Sequence, residues 1–433
     1  MRNNRLANHP PLKKTGIVMA NKEQIRKLLP AFLGMILLST GMLCAQRRTA
    51  GDYPYSRQDT ASYARGFIHR LEVEGRAGHI FTAKDFLEGE NMAGKRIATT
   101  RSAHLKYALR LRPRTAGAQA YIDAYQGIGL GYFDFGNRKE LGSPFALYLF
   151  QGGSIARLSR QLSLNYEWNF GASYRWKPYD KDHNPYNKVI GSDVNAYLNV
   201  NLHLNWSLSP LFDLTVGATG THFSNGNTQY PNSGLNTVDC KVGLIYNFNR
   251  RADDLASSRQ RTFVPPFSRH VSYDLTLFGT WRKKAVTLST DVQVAAPHSY
   301  TVWGFNFAPM YNFGYKFRAG VSLDGVYDTS CNIWMDNNSQ EFITPRADKQ
   351  MALGVSARGE FVMPYLTVGI GLGTNVLHGG GDLKSLYQIL ALKIDVFRNS
   401  YLHIGYNLNE FHNPNHLMLG VGYRFNNKRP KLF

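Results

Sequence analysis

From Gln161 to Trp176 the chain alternates without a break. Leu162, Leu164, Tyr166, Trp168, Phe170, Ala172, Tyr174 and Trp176 take the even positions, while Gln161, Ser163, Asn165, Glu167, Asn169 and Arg175 are among the odd ones. A helix would scatter these two sets around its circumference; a strand sorts them onto an apolar and a polar face. Tyr197–Trp206 repeats the pattern, with Leu198, Val200, Leu202, Leu204 and Trp206 opposed to Asn199, Asn201, His203 and Asn205. The final instance is Leu417, Leu419, Val421, Tyr423 and Phe425. Segments of about ten residues with aromatics near their ends are long enough to cross a bilayer as tilted strands and mark a transmembrane β-barrel. A soluble β-sandwich also alternates, but aromatic ends on strands of this length favour the membrane.

This pattern accounts for an odd composition. The 433 residues include 13% aromatics and 40 glycines, yet the mean hydropathy is −0.32. Two-faced strands average lipid-facing aromatics with inward amides. A helical membrane protein is excluded, because the single long apolar run, Leu28 to Ala45, is broken by Pro30, Ser39 and Thr40. Lys22, Arg26 and Lys27 precede it and the small Ala45 closes it, so residues 1–45 read as a secretory signal peptide, with Met19 as an alternative start. Cys44 lacks the small residues of a lipobox before it. Cys240 and Cys331 have no Cys or His partner at ligand spacing, so neither a metal site nor a cofactor is expected. The formal charge of +20 is spread along an exported chain, which points to anionic lipid and away from nucleic acid.

Alternating runs lie near 66–82, 101–112, 122–135, 143–156, 160–177, 192–207, 211–224, 236–249, 269–281, 299–313, 315–328, 349–362, 364–376, 385–397, 400–409 and 415–425. The expected fold is all-β, an even-stranded antiparallel barrel of about sixteen strands, within roughly twelve to sixteen. Short connections (157–159, 209–210, 363, 398–399) alternate with long ones (178–191, 225–235, 282–298, 329–348), as periplasmic turns alternate with external loops. Residues 250–268 break that rule, being long where a short turn is due. One barrel over 46–433 is preferred; two eight-stranded units divided at this segment are the alternative.

One hairpin carries chemistry. In strand 211–224, Phe212, Leu214, Val216, Ala218 and Gly220 share a face with His222 and Ser224. The returning strand puts Asn236 on the same face as Val238, Cys240, Val242 and Leu244. Three polar side chains therefore stand on an apolar wall, where each is costly unless the others satisfy it. Ser, His and an amide in reach of one another are the parts of an activated nucleophile, its base and the residue that orients the base. Asp213 and Asp239 fall on the opposite face. His378 with Asp382, and the segment Phe411-His412-Asn413-Pro414-Asn415-His416, read as turns rather than sites.

The segments His222-Phe223-Ser224-Asn225-Gly226 and Pro231-Asn232-Ser233-Gly234-Leu235-Asn236 resemble the lipid A 3-O-deacylase (acyloxyacyl hydrolase) family of outer-membrane barrels. So do Gln126-Gly127-Ile128-Gly129-Leu130-Gly131, Leu141-Gly142-Ser143-Pro144, Trp176-Lys177-Pro178-Tyr179 and Ile190-Gly191-Ser192. The resemblance spans about residues 85–250, and 269–433 reads as a barrel extension. It implies Ser224 as nucleophile, His222 as base, an oxyanion hole near Asn225 and Gly226, and lipid A in the outer membrane as substrate, with other outer-membrane lipids nearby. Family members known for lipid A carry Glu where this chain has Asn236. Outer-membrane phospholipase A shares the His-x-Ser-Asn-Gly core and uses Asn at that spacing, which makes it the alternative enzyme. A non-enzymatic porin or adhesin scaffold is the alternative from another class.

Overall fold

A computed structural model describes residues 66–432, apart from short stretches at 82–84, 114, 257–262, 290–291, 297, 337–338, 340, 410–412 and 431. The expected signal peptide and His412 lie outside the described residues.

The first half comprises β1 (Phe67–Ile80), β2 (Thr99–Leu111), β3 (Tyr125–Asp134), β4 (Gly142–Arg157), β5 (Leu162–Trp176), β6 (Asn195–Ser207), β7 (Phe212–Ser224) and β8 (Leu235–Asn247). Each strand pairs antiparallel with the next, and β8 returns to β1, from Arg70 opposite Asn247 to Ile80 opposite Thr237. The second half continues with β9 (His270–Arg282), the hairpin β10 (Ala285–Ser289) and β11 (Val292–Ala295), β12 (Tyr300–Asn312) and β13 (Phe317–Asp328). The short pair β14 (Trp334–Met335) and β15 (Phe342–Ile343) follows, then β16 (Met351–Val362), β17 (Leu366–His378), β18 (Leu386–Asp395), β19 (Ser400–Asn409) and β20 (Asn413–Phe425). Here β20 closes onto β9.

Every alternating run of the sequence is thus a barrel strand, but the sheet closes twice. The two eight-stranded units replace the single large barrel, and residues 248–269, with Pro265 and Pro266 interrupting any ladder, are the connection between them.

The reason lies in the inward positions. Eight strands enclose a space just wide enough for side chains to fill. In the first barrel part of it is filled by charge: Lys106 Nζ reaches Glu167 at 2.7 Å, Glu72 at 3.0 Å and Glu74 at 3.4 Å, and Glu74 also takes Lys241 and Arg76, each at 2.5 Å. In the second, Asp274 and Glu360 are bridged by Arg318 (2.6 and 2.5 Å) and Lys393 (2.8 and 2.7 Å). Such groups persist out of water only when paired this closely. The outer faces are apolar and exposed, with Val200, Leu202, Leu204 and Trp206 of β6 outward and Asn199, Asn201, His203 and Asn205 buried within.

The outer face of β5 departs from the simple expectation of lipid contact. Tyr166, Trp168 and Phe170 pack beside Met363, Leu366 and Leu392 of the second barrel, and the Tyr166 and Phe361 rings meet edge to face at 5.6 Å.

Candidate functional site

The end of β7 is fixed from inside. Phe223 is fully buried and points into the first barrel, where it meets Trp176 at 5.0 Å and Phe133 at 5.1 Å, both edge-on. Strand alternation then sends its neighbours His222 and Ser224 outward. Across the β7–β8 ladder His222 is directly opposite Asn236.

The three side chains form one hydrogen-bonded chain. His222 Nδ1–H donates to Asn236 Oδ1 at 2.6 Å, which leaves Nε2 to accept from the Ser224 hydroxyl at 2.9 Å. Ser224 is only 7% exposed. The carboxylates near this hairpin are engaged inside the barrel: Asp213 holds Arg250 at 2.7 Å, and Asp239 accepts from Thr237 at 2.7 Å. An unprotonated Nε2 against a serine hydroxyl is the arrangement in which a hydroxyl can lose its proton as it attacks.

The loop after Ser224 is tightly turned. Gly226 and Asn227 both have φ of 63°, and Gly234 has φ of 71°. The Asn225 N–H donates to Asn232 Oδ1 at 3.0 Å, and the Asn225 side-chain amide donates to the Gln229 carbonyl at 3.1 Å. Asn232 in turn donates to Asn227 Oδ1 at 3.1 Å. The Asn225 N–H is thus committed within the loop.

Other pieces of the sequence motif build the platform under this loop. Gly191 lies against the Pro231 carbonyl with no room for a side chain, and Gly234 N–H donates to the Val189 carbonyl at 3.2 Å. The Asn184 and Asn187 amides both donate to the Glu140 carbonyl at 2.9 Å, joining the 178–191 loop to the loop before β4. Gly234 is a site residue that reading the sequence for reactive groups passes over: a Cβ there would stand 3.0 Å from His222 Cε1. The signal was its position just before Asn236, in a loop whose strand must begin in register with His222.

Among the described residues no cluster of three His, Cys, Asp or Glu side chains is placed to hold a metal ion. His378, at the end of β17, has Ser385 Oγ at 3.5 Å, but its other ring nitrogen accepts from the Gly380 N–H at 3.2 Å and so has no acceptor to orient it.

Two family models match the chain. One, described as Lipid A 3-O-deacylase (PagL), covers residues 158–245 and so takes in His222, Ser224 and Asn236. The other, described as Acyloxyacyl hydrolase, C-terminal domain, covers residues 271–427, essentially the whole second barrel. The match therefore reaches beyond residue 250, where the motif resemblance ended. No curated protein matches. Among crystal structures, Neisserial surface protein A is similar at 8% identity over 42% of this chain and 97% of its own, with a TM-score of 0.28. The outer membrane enzyme PagL is similar at 13% identity over 40% of this chain and 97% of its own, with a TM-score of 0.26. The N-terminal β-barrel domain of Pseudomonas aeruginosa OprF gives 9%, 41% and 97%, with a TM-score of 0.25.

Proposed function

We propose that this chain, which belongs to the lipid A 3-O-deacylase (acyloxyacyl hydrolase) family and is an ester-hydrolysing enzyme of the outer membrane, deacylates lipid A through Ser224 as nucleophile, His222 as general base and Asn236 as the residue that orients the imidazole. Ser224 Oγ attacks the carbonyl carbon of an acyl ester while its proton passes to His222 Nε2. The carbonyl oxygen becomes an oxyanion facing the Gly226 N–H, with Asn225 beside it. Collapse of the tetrahedral adduct breaks the ester C–O bond, and His222 returns the proton to the departing sugar oxygen. Water then attacks the acyl-serine by the same route and frees the fatty acid.

The observation that carries this reading is the Ser224–His222–Asn236 chain on the outer wall of a barrel. A site facing outward receives its substrate sideways from the membrane, which suits an acylated lipid and no soluble ester. Asn236 holds the imidazole in the required tautomer without adding the charge that would stabilise imidazolium.

Mass spectrometry of lipid A from cells carrying the intact protein or Ser224→Ala tests it. The expected result is lipid A short of one acyl chain with the intact protein and full acylation with the variant, at equal barrel abundance. Identical acylation in both would sink the reading, and lysophospholipid in place of deacylated lipid A would move the substrate to phospholipid.

A further inference from the structure

The seam that closes the second barrel is split at one end. β9 and β20 pair from Tyr273 opposite Phe425 to Gly279 opposite Leu419, and there the ladder stops, although β9 runs on to Arg282 and β20 begins at Asn413. Backbone groups at an unzipped seam need other partners. Some are supplied by the first barrel. The Lys283 N–H donates to the Asn227 carbonyl at 3.1 Å, and the Asn227 side-chain amide donates to the Asn415 carbonyl at 3.1 Å. Asn227 thus bridges the two strands where they part. Beside it Gly226 faces Leu417, whose Cβ would lie 3.3 Å from a Cβ at 226.

Arg282 ties together the strands around the opening. Its guanidinium donates to Asn415 Oδ1 at 2.6 Å and to Asp328 Oδ2 at 3.1 Å, while Asn415 Nδ2 donates to Asn407 Oδ1 at 3.0 Å. The groups that grip Asn227 are therefore held by side chains from β9, β13, β19 and β20.

We propose that the second barrel positions the oxyanion loop of the first: the split seam, set by Arg282 and Asn415, clamps Asn227 and so holds the Gly226 N–H toward the carbonyl oxygen of the ester attacked by Ser224. This rests on the function proposed above. Gly226 and Asn227 are consecutive left-handed residues, and a loop of that shape without an external anchor samples many others. An oxyanion donor stabilises the transition state only where it is held in place before reaction. Arg282 and Asn415 are positioning residues, since neither touches the reacting atoms.

The test uses the full-length protein refolded in detergent with lipopolysaccharide as substrate. Arg282→Ala and Asn227→Ala are each expected to lower kcat by about tenfold, with KM changed less than about twofold, because a loosened donor is lost to the transition state and not to ground-state binding. Asn227→Ala also removes the acceptor of the Asn232 amide within the loop and is expected to be the slower single variant; the double variant is expected to be no slower than it, since the side-chain contact that Arg282 supports is already cut. Folding is read from the mobility of unheated samples on gels. If Arg282→Ala does not fold, Leu417→Ala loosens the Gly226 side of the same clamp without disturbing the charged groups, and a smaller fall in kcat is expected. Wild-type kcat in folded Arg282→Ala or Leu417→Ala overturns the clamp, as do losses that multiply in the double variant or appear in KM. Ser224→Ala run alongside separates the two ideas. An inactive Ser224→Ala with an unaffected Arg282→Ala removes the clamp alone, whereas a fully active Ser224→Ala removes the proposed function and the clamp with it.

Discussion

Lys106 and Glu167 meet at 2.7 Å in the middle of the first barrel, both essentially without solvent contact. Lys106 also serves Glu72 and Glu74, so its ammonium is the shared counter-charge of three carboxylates. Lys106→Met is expected to strand them and to cost about 3–5 kcal/mol, the usual penalty for breaking a buried pair from one side. The urea midpoint of the folded-to-unfolded gel shift reads this directly. A midpoint equal to wild type would mean that water reaches the cluster.

The same filled interiors bear on transport. Side chains such as Lys106, Glu167 and Asn201 in the first barrel and Arg318, Asp274 and Lys393 in the second occupy the space a pore would need. Purified protein in planar lipid bilayers is expected to give no porin-like conductance steps. Stable, voltage-independent steps would restore the porin alternative.

Asn236 stands where the resemblance to lipid A 3-O-deacylases implies a carboxylate. A hydrogen bond to a charged partner is stronger than a neutral one by about 1 kcal/mol, so Asn236→Glu is expected to raise kcat about fivefold. Asn236→Ala, which removes the acceptor of the His222 Nδ1–H, is expected to lower it by at least about tenfold. Steady-state release of fatty acid distinguishes the two directions. A slower Asn236→Glu enzyme would show that the amide is itself the better partner in this setting.

Gly234→Ala tests how closely the loop fits the imidazole. The new methyl would stand 3.0 Å from His222 Cε1 and 3.1 Å from the Phe223 carbonyl, at a backbone φ of 71° that L-residues avoid. Activity is expected to drop at least about tenfold while the gel shift stays barrel-like, because the clash falls on His222 and outside both barrel interiors. Full activity would place the imidazole elsewhere during reaction.

Much of the molecule is legible in the sequence because strand alternation is a local property. The limits of β5, β7 and β19 follow from their own residues, as does the outward placement of His222 and Ser224, and Asn236 follows once the returning strand is phased by Val238 and Val242. Closure is not local. Whether strands form one ring or two depends on which pair at the edges, and the clue lay in the chemistry of inward positions: Glu72, Glu74, Lys106, Glu167 and Lys241 are complementary charges that fill a narrow space, where a wide barrel would carry them around water. The clamp on Asn227 was equally out of reach, since Lys283 and Asn415 are far from residue 227 in sequence and meet it only after both rings exist. Gly234 was visible as part of a motif, but its reason, the proximity of His222 Cε1, required the folded loop.

The split seam gives the two-ring design a meaning for how the cell handles this enzyme. A lipase released early into a membrane it can digest is a hazard during its own assembly. If the donor that steadies the oxyanion is set by strands near the far end of the polypeptide, a first ring inserted without the second is a folded cylinder with a slack loop. Hydrolytic competence then arrives with the last closure, and the order of construction acts as the safety catch that soluble lipases obtain from a lid.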